Sequence, residues 1–278
     1  MLRTRVITAL VLLVPFLASL MASSPLPFAL LTGLFIAAAA WEWGRLNQAP
    51  GSGAYAMGVL MAAACAAALA VGWTTDAPPA AWWLATAVWV AFGAVALKSG
   101  PTRWTQLPRA ARWAIGLVAL WAGWLAMSKA RAVGINFMLS VFCLVWMADI
   151  AAYFGGRAFG RRKLAPSISP GKSWEGVYSG VAGVLVLGHL WSLADQRWGF
   201  DGPSLFTRLD THLGLAGTLV VLVLLSGMSV VGDLVESLVK RAAGMKDSSG
   251  LLPGHGGVLD RIDALLPVFP IAMAVALV

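Results

Sequence analysis

Lys246 to Asp263 reads KDSSGLLPGHGGVLDRID, and just before it runs GDLVESLVKR, Gly232 to Arg241. These two tracts hold most of the residues that could do chemistry. Asp233, Glu236, Asp260 and Asp263 supply hard oxygen donors, which suit Mg²⁺ sharing one or two carboxylates with substrate phosphates. Lys240, Arg241, Lys246 and Arg261 supply positive charge for phosphate oxygens. Gly254, Gly256 and Gly257 surround His255, and residues without Cβ allow positive φ or close backbone approach to a ligand. Successive backbone N–H groups in such a turn can cradle an anion. Metal, phosphate and close backbone together describe phosphoryl or nucleotidyl transfer.

Spacing adds detail. Asp233 and Glu236 stand i, i+3 on one helix face, and Glu236 and Lys240 stand i, i+4 and can pair. Asp260 and Asp263 repeat the i, i+3 spacing, and Asp149 and Tyr153 are one turn apart. No dense Cys/His cluster points to zinc. Lys172 sits in SISPGKSWEG, whose GKS invites a P-loop reading. That motif needs glycine at 166, which is Pro166, and no strand is expected before it. The segment instead reads as a basic, hydroxyl-rich loop in which Ser169 and Ser173 lead into a helix N-terminus that favours phosphate. An ordinary topology-setting loop capped by Ser173 is the competing reading, as it is for Arg157, Arg161, Arg162 and Lys163 nearby. Glu42 reads as a local ion pair with Arg45, and Asp76, Asp195, Asp201 and Asp210 as solvated loop charges.

These residues must be positioned by a very apolar chain. Of 278 residues, 59% are hydrophobic and only 12% charged, half the roughly 25% of a soluble domain. The pattern predicts an all-α polytopic membrane protein with about nine transmembrane helices. They fall near 6–22, 25–44, 55–73, 80–97, 112–128, 133–155, 173–194, 213–240 and 262–278, each close to the ~20 residues that cross hydrocarbon. The basic start is read as a retained first helix rather than a cleaved leader. Cys65 and Cys143 lie inside apolar runs and read as buried thiols. With the N-terminus inside, 16 of the 20 basic residues face the cytoplasm, a strong positive-inside signal. The net charge of +8 therefore describes a basic cytoplasmic face that attracts anionic head groups, and no motif supports nucleic-acid binding. We divide the chain into N-terminal transmembrane helices, 1–130, and a catalytic transmembrane region, 131–278, with its site on the cytoplasmic side. Acids at helix ends in a membrane are functional suspects, here Asp149, Glu175, Asp233, Glu236, Asp247, Asp260 and Asp263.

Three blocks also carry a resemblance. Ser237-Leu-Val-Lys240-Arg241, then Lys246-Asp247, then His255-Gly256-Gly257-Val-Leu-Asp260-Arg261-Ile-Asp263 resembles the signature of the phosphatidate cytidylyltransferases, the CDP-diacylglycerol synthases. Two upstream blocks, Trp146 to Gly160 and Ser169 to Gly176, are similar to the same family, with Ser173 where that family often has threonine. The resemblance covers about 146–263; the N-terminal half matches only as apolar spans. It implies a reaction of CTP with phosphatidic acid to CDP-diacylglycerol and pyrophosphate, with Mg²⁺ and a second, potassium-like ion. It also implies an all-helical, homodimeric protein of the cell inner membrane.

The residues fit that chemistry without a covalent step. Phosphatidic acid brings its own nucleophile, a phosphate monoester whose second pKa near ~6 leaves it largely dianionic at pH 7. Asp233, Asp260 and Asp263 are the leading metal ligands, followed by Asp149 and Glu236. Lys172, Lys240, Arg241, Lys246 and Arg261 would hold phosphates; Tyr153, Ser169 and Ser173 would line the substrate site, and the loop glycines would let backbone reach the triphosphate. His255 fits either a phosphate contact or a structural role in the turn. The lipid tails would stay in the bilayer and enter sideways between helices. A cation-coupled transporter, a non-catalytic scaffold and an enzyme acting on another lipid phosphate are the alternatives. A transporter would place its polar groups at the midplane within inverted repeats, and neither is visible here.

Overall fold

The computed structural model describes residues 2–277, with side chains from Val6 onward. Arg3 and Arg5 of the basic count, and the last residue of the ninth expected span, therefore lie outside the described side chains. The elements run α1 (Leu2–Leu20), α2 (Leu26–Leu46), α3 (Gly51–Ala70), α4 (Trp73–Asp76), α5 (Pro79–Gln106), α6 (Arg109–Val133) and α7 (Ile135–Phe159). Then come β1 (Lys163–Ala165), β2 (Ser169–Ser173), α8 (Trp174–Arg197), α9 (Leu205–Ala242), α10 (Leu259–Ile262) and α11 (Leu265–Ala276). The protein is an all-α polytopic membrane protein, in which β1 and β2 form one small antiparallel hairpin.

Seven helices among the described residues, α2, α3 and α5 to α9, are long and apolar enough to cross a membrane. α1 runs over the first expected span, and its described side chains, Val6–Leu20, are mainly apolar. The last expected span differs from these. α11 is only 12 residues, about 18 Å at 1.5 Å per residue, too short to cross. It is almost wholly buried against α5, α6, α7 and α9, so its hydrophobicity serves the protein core rather than lipid. Such a part-length helix, entered through irregular backbone, is tolerated at membrane depth because protein surrounds it. α9 is longer than expected, 38 residues, but Gly214 (φ 65°) breaks it where the expected span begins at 213. Gly100 (φ 73°) ends the span part of α5 in the same way.

The basic segment expected as a loop is ordered as the β1–β2 hairpin. Glu175 organises its base by accepting from the N–H groups of Arg161 at 3.0 Å and Arg162 at 3.2 Å. Two of the acids expected as solvated loop charges, Asp201 and Asp195, are structural instead. Asp201 accepts from the backbone N–H of Ile135 and, at 2.9 Å, of Asn136, meeting orphan donors at the start of α7. Asp195 accepts from Asn136 Nδ2 and Ser204 N, each at 2.9 Å, tying α8 to the start of α9.

α7 and α8 form the closest helix pair, because small residues let their backbones meet. A Cβ on Gly180 would come within 2.8 Å of the Ala148 carbonyl oxygen, and one on Gly176 within 2.8 Å of the Ala152 oxygen. The loss from overpacking is about 1–3 kcal/mol. Gly180→Leu is expected to lower the unfolding midpoint in detergent by several degrees. Gly227→Ala, where a Cβ meets nothing within 4 Å, is expected to leave it unchanged. Thermal unfolding of the two variants beside the parent checks this.

Candidate active site

Two groups of residues converge at the end of the bundle where α7 and α9 finish. The first lines a polar cavity of about 530 Å³ between α7, the hairpin, α8 and α9. α7 contributes Asp149, Tyr153 and Arg157; the hairpin contributes Ser169, Lys172 and Ser173; α9 contributes Asp233. Lys172 Nζ lies 2.6 Å from Asp233 Oδ2, and Ser237 Oγ donates to Asp233 Oδ1 at 3.2 Å. Both members of the ion pair are partly exposed to the cavity. A strand, β2, does precede α8, contrary to the expectation of none. Gly171, Lys172 and Ser173 lie inside that strand rather than in a loop after it, so the segment is still no P-loop. Ser173 caps α8 by accepting from Gly176 N at 3.2 Å.

The second group is a buried clasp around the Lys246–Asp263 loop. Asp260 Oδ1 accepts from Lys240 Nζ at 2.6 Å, and its Oδ2 accepts from Ser248 N at 2.9 Å and Gly257 N at 2.8 Å. Burial opposes ionisation of Asp260, but the Lys240 ammonium and these N–H donors outweigh it and hold the carboxyl far below the usual range. Lys240 also pairs with Glu236 one turn earlier, as the i, i+4 spacing predicts. Glu236 Oε1 is buried without a hydrogen-bond partner among the described residues.

Glu42 completes the clasp from the opposite end of the chain. It is fully buried, and it accepts from Ser249 Oγ at 2.6 Å, Val258 N at 2.9 Å and Leu259 N at 2.7 Å. Ser248 Oγ lies 3.1 Å from Glu42 and 2.9 Å from Asp260, sharing its proton between them. This corrects the expected Glu42–Arg45 pair: the Arg45 guanidinium instead stacks over Trp41, 4.8 Å from the ring centre. The glycines serve this geometry. Gly256 takes φ 80°, and a Cβ on Gly257 would meet Ser248 Oγ and the Glu42 carboxylate. A signal for Glu42 existed: it is a lone carboxylate between Trp41 and Trp43 in an apolar helix, the situation that marks functional acids in membranes.

The remaining expected residues fall around these two groups. Asp263 ends α10, where its Oδ1 accepts from Ala264 N at 2.8 Å. Burial, and then the negative charge of Asp233, push its carboxyl well above the usual range. Arg241 donates to the carbonyls of Ile168 and Met245, each at 3.3 Å, fastening the hairpin to the end of α9. Arg261 Nε donates to the His255 carbonyl at 3.1 Å. His255 and Arg261 face a second, mainly apolar cavity rather than the polar one. Gly254 (φ 79°) turns the chain just before them, and Lys246 stands exposed on the loop. Among the described residues, no three acidic, histidine or cysteine side chains converge as a ready metal site.

Packed membrane helices with carboxylates, fixed cations and a glycine turn at one end define a polytopic membrane protein equipped to handle phosphates. The chain matches the model of the cytidylyltransferase family over residues 3–278, and it belongs to that family of nucleotidyl-transferring enzymes. It is 42% identical over 282 aligned residues to the phosphatidate cytidylyltransferase of Pseudomonas aeruginosa, covering 99% of this chain and 96% of that one. It is 48% identical over 137 residues to the enzyme of that name from Haemophilus influenzae, covering 49% and 44% of the two chains. A match to the Staphylococcus epidermidis enzyme is 37% identical over 149 residues, 54% of this chain and 52% of that one.

Removing Glu42 leaves the Val258 and Leu259 N–H groups and the Ser249 hydroxyl buried without their acceptor, and each such orphan costs about 1–3 kcal/mol. Glu42→Ala is expected to make the 247–258 loop cleavable by protease in protein whose helices remain folded. Limited proteolysis with peptide mapping, beside circular dichroism, checks this.

Proposed function

We propose that this protein transfers the cytidylyl group of CTP to phosphatidic acid, releasing pyrophosphate and leaving CDP-diacylglycerol in the membrane. The observation that carries the reading is the cavity in which Lys172, Arg157 and Asp233 meet beside the Asp260–Lys240 clasp. The chain's identity to the Pseudomonas aeruginosa enzyme along nearly its whole length supports it. The phosphatidate dianion attacks the CTP α-phosphorus in line. A new P–O bond forms, the bond to the β-phosphate bridging oxygen breaks, and pyrophosphate carries that electron pair away. No general base is required, because the nucleophile arrives ionised.

The chain's own residues bind, orient and neutralise. Lys172 has three ammonium donors; with one on Asp233, two remain for phosphate oxygens in the cavity. Arg157 and Tyr153 line the same space and suit the second anion. Lys240 lies between Glu236 and Asp260, so its role is to fix Asp260 and the loop rather than to bind a phosphate freely. Ser169 and Ser173 hold the hairpin wall that presents Lys172.

Mg²⁺ fits this donor set. Asp233 and Asp263 stand close enough to repel one another, and Mg²⁺ binds well through one or two carboxylates with phosphates completing its shell. Asp149, Asp260 and Glu236 stand behind them as further carboxylates. When bound, the ion would neutralise the charge that develops on the departing pyrophosphate. A second, potassium-like ion, a homodimeric state, residence in the cell inner membrane, and a cytoplasmic N-terminus and site complete the proposal. The basic residues concentrated at the hairpin end support that orientation.

Purified protein in detergent is expected to release pyrophosphate only when CTP, phosphatidic acid and Mg²⁺ are all present. EDTA stops the release and added Mg²⁺ restores it. Asp263→Asn and Lys172→Met are each expected to lower kcat by about 10²–10³, the size of losing one electrostatic contact to the transition state. Release without phosphatidic acid, or full activity in both variants, would overturn the assignment. Mg²⁺-independent cation flux through liposomes, with no pyrophosphate release, would point to a transporter.

A further inference from the structure

The second cavity lies next to the polar one and differs from it in chemistry. It measures about 510 Å³, within the range of small-ligand sites, and its walls come from α1, α2, α6, α7, the Lys246–Asp263 loop and the start of α11. Ala9, Phe16, Thr32, Phe142 and Trp146 give it an apolar body. Its polar rim is His255 and Arg261. His255 Nδ1 is buried with no hydrogen-bond partner among the described residues. Arg261 is held by Nε alone, and its terminal nitrogens have no partner among the described residues.

α7 joins the two cavities. Phe142, Trp146, Asp149 and Tyr153 stand at i, i+4, i+7 and i+11, so they form one stripe along the helix. Phe142 and Trp146 stack, with ring centres 5.6 Å apart, and line the apolar cavity. Asp149 and Tyr153, the next turns along, line the polar one. One helix face therefore runs from a mainly apolar slot to the polar chamber that holds Lys172, Arg157 and Asp233. That sequence of environments matches a lipid whose phosphate carries a tail.

We infer that the apolar cavity is an acyl-chain site: it takes one chain of the lipid phosphate, with Arg261 and His255 at its mouth beside the ester end. The inference rests on the reading of the protein as a lipid-phosphate cytidylyltransferase. The second chain stays in the bilayer, which reaches the slot past the exposed Leu10 and Leu13 of α1. The tail thus helps to place the attacking phosphate, and small wall residues such as Ala9 and Thr32 set how much chain enters.

The test uses the full chain in lipid nanodiscs and two phosphatidic acids, dioleoyl and dihexanoyl. Ala9→Trp and Thr32→Phe fill the slot, and each is expected to lower the dioleoyl-to-dihexanoyl ratio of kcat/KM at least tenfold. An unchanged ratio in both variants overturns the site. A second measurement needs no turnover: phosphatidic acid with a photoactivatable group in one acyl chain is cross-linked to the parent protein and the label is mapped. Label on residues 9–16 and 32–36, displaced by dioleoyl phosphatidic acid but not by phosphatidylcholine, supports the site. Label elsewhere, or equal displacement by phosphatidylcholine, overturns it. A parent protein that cross-links in this way yet makes no pyrophosphate would defeat the assigned reaction while leaving the lipid site standing.

Discussion

A charged group inside an apolar protein must be met by partners, and this requirement shapes the end of the molecule where α7 and α9 finish. Glu42 is fully buried in α2, and the donors that meet it come from more than two hundred residues away. Because those donors are the hydroxyls and N–H groups of the Lys246–Asp263 loop, satisfying one carboxylate folds the loop. Asp260 is then set where Lys240, Ser248 and Gly257 can reach it. Removing one partner of the buried Lys240–Asp260 pair costs about 3–5 kcal/mol, since it strands the other charge. The first and last parts of the chain are thereby bound into one site.

The fold around this clasp trades regular helix for local control of backbone. α10 and α11 are separated just where Asp263 stands, and α11 is kept inside the protein, where a broken helix does no harm. α7 and α8 approach closely through glycine, which brings the hairpin and its Lys172 over the end of α9. Arg241 then ties the hairpin to that helix through the Ile168 carbonyl. The polar chamber is thus walled by three consecutive elements, α7, the hairpin and α8, and closed by α9 from further along the chain. Its ion pair, Lys172 with Asp233, leaves both groups in contact with the cavity rather than sealing them away.

The fold class, the spans of α2, α3 and α5 to α9, the Glu236–Lys240 pair and the cap at Ser173 were all legible in the sequence. Each depends on composition or on spacing within one helix, and local chain geometry fixes such relations. The resemblance to the cytidylyltransferases lay in runs of contiguous residues, which a sequence displays directly. The helical break at Gly214 was half visible, since the expected span starts beside it.

Tertiary structure alone decided the rest. Whether a hydrophobic run crosses the membrane or hides in the core depends on what packs around it, so α11 could not be told from a span by its apolar character. Glu42 has Arg45 three residues away and its real partners beyond position 247; no local rule prefers distant donors over a nearby guanidinium. The hairpin in the basic segment needs Glu175 and Arg241 to hold it, and neither contact is implied by strand propensity. The sequence by itself determined a membrane-embedded helical protein carrying the chemical groups for phosphate transfer. Which groups face the chamber and which are locked into the clasp was settled by packing, because in a low-dielectric interior each buried charge must be matched in space rather than along the chain.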